Sequence, residues 1–134
     1  IGDYAFYYCD SLTTVTFGEN SRLTSIGDYA FSDCSNLTSV TIPASVTSIG
    51  AYAFENCTLL SSVKLNDGLT NIGDRAFQNC TSLTTMDIPK TVTTVDNKGY
   101  GVFYGCTGLK SVNFAEGITT IPSSPTSLAT VSAF

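Results

Sequence analysis

The sequence predicts one domain built as a solenoid, a stack of short coils that share a core. One pattern recurs five times, at steps of 23 to 25 residues, and the apolar residues keep their spacing in every copy. The chain has 134 residues, 43% of them hydrophobic, which is enough for one ordinary domain. A unit this short cannot bury its own apolar side chains, so neighbouring units must stack.

Each copy opens with the hexapeptide Ile-Gly-x-x-Ala-Phe. It begins at Ile1, Ile26, Ile49 and Ile72, and a stretched copy runs from Val95 to Phe103. The pattern continues as Phe-x-x-Cys-x-x-Leu-x-x-Val-x-Ile, which the second copy fills with Phe31, Cys34, Leu37, Val40 and Ile42. We divide the single domain, 1–134, into repeats 1–25, 26–48, 49–71, 72–94 and 95–120 and a shortened sixth coil at 121–134.

Three elements are expected in each coil. The spacing Ala-Phe-x-x-Cys predicts one short helical turn, with Asp3, Asp28 and Asp74 placed to cap it. The alternation of Val40 and Ile42 predicts a short strand whose neighbouring residues face outwards. A second extended piece precedes the next hexapeptide. We expect the strands on the concave side of a curved solenoid and the helical turns on its convex side.

The repeat resembles the leucine-rich repeats, specifically the BspA-like class with a 23-residue unit. The resemblance extends from residue 1 to about residue 122, in five units that match in register. It implies a strand-dominated α/β leucine-rich repeat solenoid. It also implies a secreted or cell-surface protein involved in adhesion to proteins or other cells.

Composition excludes several classes of function. The net charge of −5 is unsuited to nucleic acid, whose phosphates need clustered Lys and Arg. The absence of His removes the commonest metal ligand and the His-dependent catalytic triads. No glycine-rich phosphate loop occurs, and no apolar run reaches the roughly 18 residues of a membrane span. We therefore expect no enzyme, cofactor or metal site, and no membrane span in this chain.

One cysteine occurs in every repeat, at Cys9, Cys34, Cys57, Cys80 and Cys106. Structural zinc sites pair cysteines two to four residues apart, and no such pair is present. Disulfides between adjacent coils are conceivable, but five cysteines leave one over. We expect a column of buried free thiols.

Equivalent outward positions of the strands form columns, and one of them is the candidate binding site. The first column contains only hydroxyl residues, Thr14, Ser39, Ser62, Thr85 and Ser111. Its neighbour changes chemistry from coil to coil and contains Thr16, Thr41, Lys64, Asp87 and Asn113. Repeat proteins usually bind partners through this face, so these five are the predicted binding residues. The alternative is that they are exposed positions without a role.

Two further sets of residues are candidates for surface roles. Tyr4, Tyr29, Tyr52 and Tyr100 are predicted to form a column, with Arg75 at the equivalent place in the fourth repeat. They either form an exposed stripe that binds a partner or lie flat over the turn and cover it. Asn36, Asn56 and Asn79 each begin a glycosylation acceptor sequence. Two of these have Cys in the middle, which is also what the repeat pattern alone would produce.

The leading hypothesis is an extracellular or cell-surface module, non-catalytic, that binds protein or glycan through its strand face. The alternative is a structural subunit whose coils stack end to end between chains into a filament. This alternative rests on Ile1 lying inside the repeat pattern with no polar cap before it. We also expect the chain to be a processed product or a segment of a longer protein, because it starts within a repeat.

Overall fold

The computed structural model describes residues 1–95 and 101–115, and the backbone alone of 130–133. Described residues form ten short parallel strands, two in each complete coil. In chain order they are β1 (Thr14–Val15), β2 (Ser25–Ile26), β3 (Ser39–Thr41), β4 (Ser48–Ile49), β5 (Ser62–Lys64), β6 (Asn71–Ile72), β7 (Thr85–Ile88), β8 (Thr94–Val95), β9 (Ser111–Phe114) and β10 (Thr130–Ala133).

The strands form three parallel sheets that run along the stack. One contains β2, β4, β6 and β8 in that order, with Ser25 opposite Ser48 and Asn71 opposite Thr94. The predicted binding columns lie on the other two, β1-β3-β5 and β7-β9-β10. We call the side formed by these two sheets the strand face. Apart from β5 and β7, the described strands of neighbouring coils pair with their equivalents, as expected for a solenoid.

The core is a set of columns in which one side chain from each coil packs on the next. Phe31, Phe54 and Phe77 are fully buried, and the rings of consecutive coils stack at 5.3 Å between centroids. Buried cysteine and leucine columns lie beside them, as the repeat pattern predicts. Because every coil contributes the same residue at the same place, the apolar surface of one coil is covered by the next.

The predicted helical turns are wrong, because the described part of the chain contains no helix. In the second coil only alternate amides bond locally, as in Ala30 N–H to Gly27 and Cys34 N–H to Phe31. The amides between them, including those of Phe31 and Asp33, donate to carbonyls of the next coil at 2.8 Å. An α-helix needs its amides for bonds within the same segment. The segment is instead a series of β-turns.

Positive φ angles mark these turns. Tyr29 and Asp33 have φ of 54° and 62°, and Tyr52 and Asn56 have φ of 56°. Each occupies the third position of a turn, where some turn types require this conformation. Gly101 and Gly105, with φ of 82° and 74°, have it in the fifth coil. A right-handed helix could not continue through such residues.

Two of the three aspartates, Asp3 and Asp28, bridge coils and do not cap the turns that follow them. Asp3 Oδ1 accepts a hydrogen bond from Asp28 N–H at 2.8 Å, and Asp28 Oδ1 accepts one from Ala51 N–H at 2.7 Å. The capping prediction is therefore wrong for Asp3 and Asp28. Each carboxylate satisfies an amide of the neighbouring coil, which fixes the spacing between coils at this position.

The end of the chain is described only in part. Strand β10 pairs in register with β9, with Thr130 opposite Ser111 and Val131 opposite Val112. It confirms the strand expected near Leu128 to Val131, although its described part begins at Thr130. The predicted insertion near 97–99 and residues 121–129 of the sixth coil lie outside the described residues. No helix of membrane-spanning length and apolarity occurs among the residues that are described.

Candidate functional site

The strand face presents a column of polar side chains on a fixed backbone. In β3, Ser39 and Thr41 are exposed while Val40 between them is buried. Strand β7 repeats the alternation, with Met86 and Ile88 buried and Asp87 exposed. Since the apolar side chains hold each strand on the core, the outward residues are held in position as well.

The structure places all five predicted binding residues on this face, in two groups. Thr41 lies opposite Lys64 in the β3–β5 pair, and Thr16 directly follows β1. Asp87 lies opposite Asn113 in the β7–β9 pair. The first four are exposed and Asn113 is half-buried. Asn113 Nδ2 donates a hydrogen bond to Asp87 Oδ1 at 2.7 Å, which orients that carboxylate.

Two grooves open on the strand face beside these residues. The larger, of about 670 Å³, is lined by Thr16 and Thr41 together with Phe17, Pro43 and Asn66. The smaller, of about 270 Å³, is lined by Leu65, Asp87, Ile88, Pro89, Asn113 and Phe114. Four of the five predicted residues therefore border a groove. The apolar walls were not predicted as site residues, because positions such as Ile88 and Phe114 belong to the core pattern.

The strand ladder is interrupted between the third and fourth coils. Strands β5 and β7 approach each other but belong to different sheets, whereas the other described neighbours on this face are paired. Val63 and Leu65 are half-buried, although their counterparts Val40 and Ile42 are buried. The interruption separates the group that contains Lys64 from the group that contains Asp87.

The predicted glycosylation residues use their side-chain amides within the fold. Asn36 is exposed, and its Nδ2 donates to the Asp10 carbonyl at 2.7 Å. Asn56 and Asn79 are half-buried, and form a ladder in which Asn79 Nδ2 donates to Asn56 Oδ1 and Asn56 Nδ2 to Asp33 Oδ1, both at 2.9 Å. A sugar on either ladder nitrogen would replace one of its two hydrogens, beside a hydrogen bond between coils.

The tyrosines form a stack on the turn side. Tyr29 lies between Tyr4 and Tyr52 with ring centroids 4.9 and 4.7 Å away, and the Arg75 guanidinium lies 5.4 Å from the Tyr52 ring centre. The Arg75 Nη1 donates a hydrogen bond to the Tyr52 hydroxyl. Tyr100 lies outside the described residues. Gly101 directly precedes Val102 as Arg75 precedes Ala76, and both Gly101 and Arg75 have positive φ.

All five cysteines are free in the structure. The thiols of Cys34, Cys57 and Cys80 donate to the phenylalanine carbonyl of the preceding coil at 3.2 Å. Burial raises the pKa of Cys34 to about 11 and raises the pKa values of Cys57 and Cys80 as well. Thiols kept protonated in this way are poor nucleophiles, and these three pack as core side chains.

Few charges are paired, and no metal-binding group is evident where the structure is described. Within residues 1–95 and 101–115 the one ion pair joins Arg75 to Asp74, with Nε and Oδ2 3.8 Å apart. The same residues contain no cluster of three metal-ligating side chains. Lys64 and Asp87, both described, form no ion pair with each other. Their charges are available for a partner.

Comparisons with known proteins agree with this architecture. A family model described as the BspA type leucine rich repeat region matches residues 1–127 in six copies. No curated protein matches the sequence. Among solved structures, a leucine-rich repeat protein of T. pallidum is 28% identical with a TM-score of 0.76, covering 89% of this chain and 56% of its own.

Two further structures are similar over most of this chain. A leucine-rich cell surface protein of Faecalibacterium prausnitzii is 31% identical, with a TM-score of 0.74 over 90% of this chain and 31% of its own. The pneumococcal vaccine antigen PcpA is 33% identical, with a TM-score of 0.72 over 78% of this chain and 25% of its own. The chain thus spans between a quarter and just over half of these proteins. It belongs to the BspA-type leucine-rich repeat family.

Proposed function

We propose that this chain is a non-catalytic binding module of an extracellular or cell-surface protein. It adheres to protein or glycan through the strand face. The observation that carries the proposal is the polar column on rigid strands, in which Thr16 and Thr41 border one groove and Asp87 and Asn113 the other. Lys64 lies between the grooves and opposite Thr41.

Rigidity supports this role. A partner that binds ordered side chains avoids part of the entropy cost of ordering them. Val40, Met86 and Val112 are almost fully buried beneath the polar residues, so the strands beneath the face are anchored in the core. The side chains that differ from coil to coil along the column then provide specificity, while the strand backbone stays the same.

The relatives support the cellular location. One is described as a cell surface protein and another as a vaccine antigen, a kind of molecule exposed to antibodies. Of the three acceptor sequences, that of Asn36 is the one with an exposed asparagine, and it is where we would expect a sugar if the protein is glycosylated.

A charge-reversal experiment tests the binding function. The purified chain is screened against a glycan array and a panel of soluble extracellular-matrix proteins. Any ligand found is then measured with Lys64→Glu and Asp87→Lys. We expect both changes to weaken binding by about tenfold or more, since each reverses a charge at the contact. The matched controls Lys110→Glu and Asp10→Lys change exposed residues that line neither groove, and should bind as the unchanged chain does.

Two results would contradict the proposal. Failure of both screens would remove the binding function. If the control variants lost as much affinity as the two test variants, the strand face would not be the binding site.

The second candidate is a structural subunit that stacks end to end into a filament. Within the 134-residue chain, Tyr4 and Phe6 of the first coil stack on Tyr29 and Phe31 with one ring face and remain 56% and 41% exposed. A second chain whose coil covered these rings would continue the stack. Light scattering and electron microscopy distinguish the two: filaments that Phe6→Glu disperses support this candidate, and a constant single-chain mass contradicts it.

A further inference from the structure

The smaller groove lies at the ends of β7 and β9, beside the opening between β5 and β7, and Leu65 is its one lining residue from the third coil. The repeat pattern varies after these strands: the second and fourth coils have Ile42-Pro43 and Ile88-Pro89, the third has Leu65-Asn66, and the first and fifth have Phe17-Gly18 and Phe114-Ala115. Asn66 Nδ2 donates to the Ile42 carbonyl at 2.6 Å, so the segment after β5 is fastened to the second coil. Leu65 then remains half-buried at the edge of the opening.

The groove has an apolar interior and one charged side chain at its rim. Leu65, Ile88, Pro89 and Phe114 supply the apolar walls, and Asp87 is the single charged residue of the lining. Asn113 Nδ2 bonds one carboxylate oxygen, Oδ1, and thereby orients the group. The other oxygen keeps its capacity to accept a charge-assisted hydrogen bond.

We propose that this groove is the anchor point for a lysine or arginine side chain of a protein partner. The volume of about 270 Å³ lies just below the range of about 300–1,000 Å³ typical of small-molecule pockets, and suits one side chain. Lys and Arg combine an apolar stem with a cationic head, which matches an apolar groove with a carboxylate at its rim.

Charge complementarity selects this occupant over others. The chain carries a net charge of −5, which attracts a basic partner. Lys64 lies on the opposite side of the opening, and the two described residues form no ion pair, so the Asp87 carboxylate has no cation bonded to it. An acidic segment would meet the Asp87 carboxylate, and an uncharged aliphatic side chain would leave it without a new partner.

The inference rests on the proposed binding function and adds the class of partner. Its test nevertheless needs no macromolecular ligand. Acetyl-lysine-amide and acetyl-arginine-amide, each with a free cationic side chain, are titrated into the isotope-labelled chain and followed by NMR. We expect saturable shifts of the backbone amides of Asp87, Ile88, Asn113 and Phe114. Acetyl-norleucine-amide, which keeps the stem without the charge, should bind about tenfold more weakly.

Variants separate this groove from general attraction to an acidic surface. Asp87→Asn keeps the shape and removes the charge, and should weaken binding of the cationic probes about tenfold. Asp67→Asn removes the same charge from an exposed residue outside the groove, and should leave binding unchanged. Absence of saturable shifts at the groove, or equal losses in both variants, overturns the proposal.

The two proposals can fail separately. If the cationic probes do not bind while binding of a protein or glycan ligand still depends on Lys64, the proposal of a lysine or arginine anchor is wrong. The proposed binding function is then unaffected. If the probes bind at the groove and the screens find no macromolecular ligand, the groove is confirmed as a site for cationic side chains. The proposed function of binding protein or glycan then loses its support.

Discussion

At the scale of single residues, one phenylalanine in each coil dominates the packing. Phe54 is fully buried, with its ring stacked between those of Phe31 and Phe77 at 5.3 Å. Removing this ring would create a cavity that contacts three coils. The surrounding backbone is held by bonds between coils, so it cannot readily collapse into the space.

We predict that Phe54→Ala destabilises the chain by about 3–5 kcal/mol. Leu59→Ala is the matched control, because Leu59 belongs to the same coil but is 48% exposed; it should change stability by only about 0.5 kcal/mol. Urea unfolding followed by circular dichroism measures both. A similar loss of unfolding free energy in the two variants would show that the phenylalanine column does not dominate the stability of the core.

The cysteine column should make the fold sensitive to alkali. The ordinary thiol pKa is 9.0, and burial raises that of Cys34 to about 11 and that of Cys57 further. Between these values the folded state retains protons that the unfolded chain has released. The stability contributed by the protonated thiols is therefore complete below about pH 9, and it decreases as the pH rises from there towards the folded-state pKa values.

We predict that the urea midpoint falls between about pH 8 and pH 10, and falls less when both Cys34 and Cys57 are replaced by alanine. Because the double variant is less stable at neutral pH, the two proteins are compared by how much the urea midpoint changes per pH unit. Tyrosines are present in both proteins and their ionisation cancels. An unchanged slope would mean that the buried thiols ionise as readily as exposed ones.

Sequence repetition predicted the buried residues well and the backbone of the turns poorly. Phe31, Cys34 and Leu37 recur at fixed spacing, and each was assigned to the core from that alone. Tyr29 and Asn56 adopt positive φ although they are not glycine. No local rule reveals this, because the conformation is maintained by amide bonds to the next coil. The spacing of Phe and Cys therefore resembled a helical turn.

At the scale of the element, the hexapeptide glycine sets how closely two coils approach. A Cβ built on Gly50 would lie 2.6 Å from the backbone nitrogen of Asp28 and from the carbonyl carbon of Gly27. These are backbone atoms of the neighbouring coil and cannot move aside separately. The recurrence of Ile-Gly in the second, third and fourth copies thus has a steric reason, which lies between coils.

We predict that Gly50→Ala destabilises the chain by roughly 1–3 kcal/mol or more, as overpacking does. Gly18→Ala is the control, because no atom lies within 4 Å of a Cβ at that position. It should be neutral or slightly stabilising, since alanine restricts the unfolded chain. Thermal unfolding of the two variants is sufficient. A Gly50→Ala chain as stable as the Gly18→Ala chain would contradict the close approach of the coils.

The strand face shows which features of an element the sequence could and could not reveal. The outward column from Thr16 to Asn113 followed from alternation and was found on this face. The opening between β5 and β7 did not follow, because it depends on whether two strands pair. Leu65-Asn66 replaces Ile-Pro in the third coil, but Phe17-Gly18 and Phe114-Ala115 replace it in coils whose strands do pair, so this change alone did not reveal the opening.

At the scale of the whole molecule, stability depends on contacts between adjacent coils. An inner coil has two neighbours, whereas the first coil of this chain has one. Phe6 is 41% exposed, and Cys9 and Leu12 are half-buried, while their counterparts Phe54, Cys57 and Leu60 are fully buried. In such a stack each coil adds its own stability and that of its interfaces. Opening should therefore begin at the first coil.

Hydrogen exchange of two equivalent amides tests this order in the 134-residue chain. Phe6 N–H donates to the Ala30 carbonyl and Phe54 N–H to the Ala76 carbonyl, each at 2.8 Å. If protection depended only on this bond, the two amides would exchange alike. We predict that the Phe6 amide exchanges faster by roughly tenfold or more, because its coil opens without disrupting a second interface. Equal rates would mean that the coils open as one unit.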